Sequence, residues 1–131
     1  MEGEKIMFEL EIKGNVYQFN FGMGFMREVN KKIAMPVDGM PGVKKNIGLQ
    51  YLVAGVIDGD VEALVDVLDC ANMRNTPRIT KAALDEYIDE CEDIDDLFEK
   101  VMGFLKNANA TRKTVTSLLE MVEAEKAKMA N

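Results

Sequence analysis

Hydrophobic and polar positions alternate strictly from Ile6 to Lys13, with Ile6, Phe8, Leu10 and Ile12 on one side and Met7, Glu9, Glu11 and Lys13 on the other. A period of two is the signature of a half-buried strand. Gly14-Asn15 supplies the positive φ of a two-residue turn, and Val16 to Phe21 continues with Tyr17, Phe19 and Phe21 on one face. The chain is thus expected to open with a β-hairpin over 6–21. An isolated hairpin is marginal in water, so its aromatic face needs either helices of the same chain or a strand of another.

Beyond the hairpin the period changes to that of a helix. Phe25, Met26, Val29 and Ile33 predict a helix from Met23 to Ala34, stopped by Pro36, Asp38-Gly39 and Pro41-Gly42. Ile47, Leu49, Leu52, Val53, Val56 and Ile57 cover most of the circumference of a segment from Lys44 to Ile57, expected to be the central helix. Gly48 and Gly55 lie on nearly one face of it, where a missing Cβ admits a close neighbour. Asp60 caps a helix carrying Val61, Leu64, Val65 and Leu68, which ends near Asn72. Thr80 caps one with Leu84, Tyr87, Ile88 and Cys91, and Asp93 one with Ile94, Leu97, Phe98, Val101 and Leu105. After the polar break at 107–111, Val115, Leu118, Leu119 and Val122 form a last stripe, followed by a charged tail from Glu123 to Asn131. The expected fold is α+β, mostly α: a hairpin and a bundle of about six helices. It forms one domain over 1–131, with the helical core at 23–110 and the C-terminal helix and tail at 111–131.

Composition narrows the function. Hydrophobic residues at 47% and charged residues at 30% of 131 give enough apolar material for one core, which excludes a disordered chain. A formal charge of -7 repels phosphate, so nucleic acid is not an expected partner. No apolar run approaches the roughly 20 residues of a membrane span and the opening Met1-Glu2-Gly3-Glu4 has no basic leader, so neither export nor a membrane is expected. Cys70 and Cys91 are read as buried free thiols within helices. With no histidine, the commonest general base and zinc ligand is missing. Asp58-Gly59-Asp60 resembles the start of a calcium loop, but Ala63 stands where that loop needs glycine. Gly22-Met23-Gly24 lacks the residues of a phosphate loop, and Ser117, the one serine, has no neighbouring base. No catalytic, metal-binding or cofactor-binding residue is therefore assigned, and the expected activity is binding to another protein.

Two features suit that activity. Asp85 to Glu99 carries nine acidic residues and no basic one, either a solvated face or a docking face for a basic segment. Ten methionines are many for this length, and Met35 and Met40 flank the Pro/Gly-rich loop where no stripe accounts for them. With the hairpin aromatics Tyr17, Phe19 and Phe21, they are the candidate partner contacts. The hairpin edge also leaves open a homo-oligomer formed by strand pairing.

The segment Tyr17-Gln18-Phe19-Asn20-Phe21-Gly22-Met23-Gly24-Phe25-Met26-Arg27-Glu28-Val29-Asn30 resembles the tail assembly chaperones of siphophages and prophages of Gram-positive bacteria. So do Gly48-Leu49-Gln50-Tyr51 and the stretch through Asp58-Gly59-Asp60-Val61-Glu62-Ala63-Leu64, the likeness running from about Phe8 to Ala110. The resemblance implies a protein of the host cytoplasm, absent from the finished virion. It would bind the tape measure protein, keep that long apolar helical chain soluble and assist tube assembly around it. Some such chaperones are also made in a longer, frameshifted form whose extra domain recruits the tail tube protein, the second implied partner. A competing reading is an acidic decoy that mimics nucleic acid and blocks a DNA-binding protein, motivated by the charge of -7 and the acidic run.

Overall fold

The computed structural model describes residues 7–36 and 44–129, with 34–36 and 44–46 described by their backbone. Strands β1 (Met7–Ile12) and β2 (Asn15–Asn20) pair antiparallel, with Phe8 opposite Phe19 and Leu10 opposite Tyr17. The turn residues are Lys13 and Gly14, at φ 53° and 82°, one place earlier than the expected Gly14-Asn15. Two positive φ angles make a primed turn, whose twist matches that of the strands, and glycine takes its second position. A turn at Gly14-Asn15 would have set Phe8 opposite Phe21. Instead Phe21 falls just past β2, at the joint with the first helix, where its ring meets Phe25 at 5.2 Å.

The aromatic face of the hairpin lies on helices of its own chain. Phe8 stacks on Phe104 at 4.9 Å and on Phe19 at 5.4 Å, and Phe21 stands 5.6 Å from Phe104. Such pairs add about 1 kcal/mol each beyond the area they bury. A second contact pins the hairpin tip, where Lys13 Nζ donates to Glu86 Oε1 at 2.6 Å.

Six helices follow: α1 (Met23–Lys32), α2 (Gly48–Ile57), α3 (Val61–Asn72), α4 (Lys81–Glu90), α5 (Ile94–Asn107) and α6 (Arg112–Met129). Asp60, Thr80 and Asp93 cap α3, α4 and α5 as their positions predict, accepting from the backbone N–H of Glu62, Ala83 and Asp96. The most deeply buried helix is α3, with Ala63 to Val65 and Val67 to Asn72 all inside.

Three boundaries differ from expectation. The first helix ends at Lys32, because Ala34–Pro36 and Lys44–Asn46 form a second antiparallel pair, β3 and β4. Pro36 is tolerated there since a strand edge needs no donor from it. Lys44 therefore starts a strand and not the central helix, which begins at Gly48 once the apolar stripe is under way. Third, the expected tail is the second half of α6, helical through Met129. The expectations for 37–43, Met40 among them, lie outside the described residues. The thiols also part company: Cys70 is buried, but Cys91 is half-buried and lies just past the end of α4.

The glycines of α2 let it sit inside the bundle. A Cβ on Gly48 would lie 2.3 Å from the carbonyl oxygen of Val29, and one on Gly55 would lie 2.6 Å from Ala63 Cβ. In a free helix, glycine to alanine is worth about 1 kcal/mol of stabilisation. Gly103→Ala, with nothing within 4 Å of its new Cβ, should therefore raise the unfolding free energy by roughly 0.5–1 kcal/mol. Gly48→Ala should lower it by about 2 kcal/mol through overpacking against backbone. Urea denaturation of the two variants beside the parent checks both signs.

Candidate partner-binding surface

Helix α6 is longer than the surface available to receive it. Val115 is fully buried and Leu118 and Leu119 pack on the core, fixing the first half of the helix against α2 and α5. Past that point α2 has ended at Asp58 and Gly59, the latter at φ 79°. The apolar stripe nevertheless continues through Met121 and Val122 and, after Glu125 and Lys126 on the same face, resumes at Met129. Together with Ala54 and Ile57 of α2 and Asp58 just past its end, it lines an open groove of about 340 Å³ that also takes in Glu125 and Lys126. Met121 is 62% and Met129 81% exposed, and Tyr51, on α2, is 64% exposed. From Glu123 to Met129 every residue is exposed.

Such a groove can bury an apolar ridge of another polypeptide, and thioether side chains re-pack around ridges of different shape. Fully covering a side chain of this size is worth about 1.5–3 kcal/mol.

Of the five sequence-selected contacts, the side chains of Tyr17, Phe19 and Phe21 are among those described. Phe19 and Phe21 are 0% exposed, so they are core residues and are corrected here as contacts: the aromatic face that the alternation marked is consumed by Phe25 and Phe104 of the same chain. Tyr17 is half-buried beside Leu10. Met35 lies in β3 and is described by its backbone, and Met40 is outside the described residues. Sequence reading missed Met121 and Met129 because the charges from Glu123 onward suggested a solvated tail. The continuing 118, 121, 122, 129 spacing was the signal that could have found them.

All nine carboxylates from Asp85 to Glu99 are exposed, with Glu86 bridged to Lys13 and Asp96 to Lys100. Among the described residues no group of acidic or thiol side chains is arranged to hold a metal ion, and Asp60 of the calcium-like segment is engaged as a helix cap. Burial pushes the Cys70 thiol up to about 11, far from a nucleophile at neutral pH. No helix among the described residues is long and apolar enough to cross a membrane.

The described residues thus form a hairpin and six helices around one core, with an apolar face of α6 left open. The chain belongs to the phage tail assembly chaperone family, since the family model described as "Phage tail assembly chaperone protein, TAC" matches residues 9–120. That span includes the hairpin from Glu9 onward and α6 as far as Glu120, so Met121 to Met129 lie past the matched segment. No curated protein and no solved structure matches the chain.

The thiols report directly on the packing around α3. A thiol reagent added to the native protein should modify Cys91 within minutes, whereas Cys70 should react only once denaturant is added. Rapid labelling of both would mean that α3 is not closed off as described.

Proposed function

We propose that this chaperone holds the tape measure protein, seating an apolar stripe of that helical client in the groove between α2 and α6. The observation that carries the reading is the stripe on α6, which runs beyond α2 and leaves Met121 and Met129 uncovered. A client that must stay helical and unassembled exposes apolar ridges, and covering them removes the driving force for its aggregation. The charge of -7 keeps loaded complexes apart by repulsion. The chain acts in the host cytoplasm, gives up its client as tail tube subunits assemble and does not remain in the virion. No chemistry is needed beyond binding. Tyr17, which is half-buried, and Met35 and Met40 complete the proposed contact set. Family membership favours this reading over the decoy.

Co-expression with the tape measure protein of the same operon tests this. The parent chain should shift the client into the soluble fraction, and Met121→Glu with Met129→Glu should abolish the shift. Both positions are exposed, so the variant's melting temperature should match the parent's. Equal client solubility with parent and variant would refute the groove, and equal solubility with and without the parent would refute the client.

A further inference from the structure

The seam between α2 and α6 runs further than the groove at its end. A second opening of about 420 Å³, lined by Gln50, Lys113, Thr114 and Ser117, lies along the first half of α6. Leu118 and Met121 line both openings, so the two form one trough with an apolar ridge between its hollows. Gln50 and Lys113 stand at one end and Asp58 and Glu125 at the other, so the two helices run in the same direction along it. From Lys113 to Met129 the trough is about 24 Å long at a rise of about 1.5 Å per residue.

Its charges are placed for something outside the molecule. Lys113 stands in the first turn of α6, where the helix dipole disfavours a cation and no acidic residue offsets it. Asp58 follows the last residue of α2, and the start of α3 is already capped by Asp60. Among the described residues neither Lys113 nor Asp58 has an ion-pair partner; Lys126 lines the same end as Asp58 without bridging it, and Glu125 meets Lys128 at 4.0 Å. An unpaired cation at one end, an unpaired carboxylate at the other and a ridge between two hollows make a surface that is complementary to itself when turned end for end.

We infer that, when no client occupies it, the trough is covered by a second copy of this chain. Two molecules pack across a two-fold axis with their α6 helices antiparallel, the Leu118 and Met121 ridge of each in the hollows of the other and Lys113 of each facing Asp58 of the other. The inference rests on the client reading only in making copy and client rivals for Met121. Reversed direction is what brings the unlike ends together, and it also sets the two helix dipoles in opposition. None of the nine carboxylates from Asp85 to Glu99 lines the trough, so the charge of -7 opposes the pair only across distances that salt screens. The hairpin edges are a poorer route to a pair. The outer edge of β2 is fastened to α3 through Gln18, and pairing two β1 strands antiparallel over their length sets Glu9 or Glu11 against a glutamate of the copy. A contact one helix wide and about 24 Å long belongs with the transient complexes that bury under about 1,200 Å². Such a pair shields the thioethers and still yields to a client.

Sedimentation equilibrium of the full chain over a concentration series tests this. The parent should be a mixture of monomer and dimer with nothing larger, and Met121→Glu should leave the monomer. Every contact occurs twice across a two-fold axis, so K113E and D58K should each weaken the dimer about fivefold or more. K113E/D58K, in which the charges are exchanged, should return it to within about twofold of the parent. K113E makes the chain more acidic and D58K less so, which separates a loss in both from an effect of net charge. All three positions are exposed, so melting temperatures should match the parent's. A parent that is monomeric throughout, dimers that survive Met121→Glu, open-ended oligomers, or a double variant as weak as the singles would overturn the pair. An amphipathic helix of the tape measure protein should then dissociate the dimer. If the dimer forms as described and that helix leaves it intact, the client reading fails and the pair stands. If the chain is monomeric and the helix binds, the pair fails and the client reading stands.

Discussion

The side-chain amide of Asn72 ties together three parts of the chain: α3, β2 and the connection into α4. It is fully buried at the end of α3. Its Nδ2 donates to the carbonyl oxygens of Gln18 at 3.0 Å and Pro77 at 3.1 Å, and its Oδ1 accepts from the Ile79 N–H at 2.7 Å and Arg78 Nη1 at 3.1 Å. Two donors and two lone pairs are all an asparagine has, so the group is saturated. The bond to Gln18 fastens the outer edge of β2 to α3. Those to Pro77 and Ile79 fix the connection into α4, and Arg78 closes the arrangement by reaching buried Asp69 at 2.9 Å. An unpaired polar group here would cost about 1–3 kcal/mol, so the network selects this arrangement strongly.

With the hairpin fastened to α3, its aromatic side has one place to go, onto Phe25 and Phe104. Those rings close the core from the hairpin side, and α2 closes it from the other through Gly48 and Gly55. What is left over is then determined by length. Helix α6 is anchored by Val115, Leu118 and Leu119 and extends past the end of α2, so its last apolar positions stay open. The open groove is thus what the core leaves uncovered at the end of α2, and Met121 and Met129 line it.

Much of this was legible in the residues. Alternation located the hairpin, the 3.6-residue period located every helix, and Asp60, Thr80 and Asp93 located three helix starts to the residue, because local patterning and capping decide those features. The β3–β4 pair was not legible: three-residue strands are held by backbone hydrogen bonds that leave no pattern in Ala34–Pro36 or Lys44–Asn46. Two of the five candidate contacts were misplaced for a related reason. Phe19 and Phe21 have the chemistry of an interface, but whether a partner or Phe104 covers them depends on tertiary packing across more than 80 residues of chain. In the same way, the charges after Val122 concealed a stripe that only the end of α2 leaves uncovered.

The central claim is that the open half of α6 is where a client docks, and the methionines are natural probes for it. Methyl resonances of isotope-labelled methionine should be recorded as an amphipathic helix of the tape measure protein is titrated in. The account predicts that Met121 and Met129 shift and broaden while Met26 and Met102, packed against the core, stay in place. Saturable shifts at Met26 or Met102 with Met121 and Met129 unmoved would contradict it.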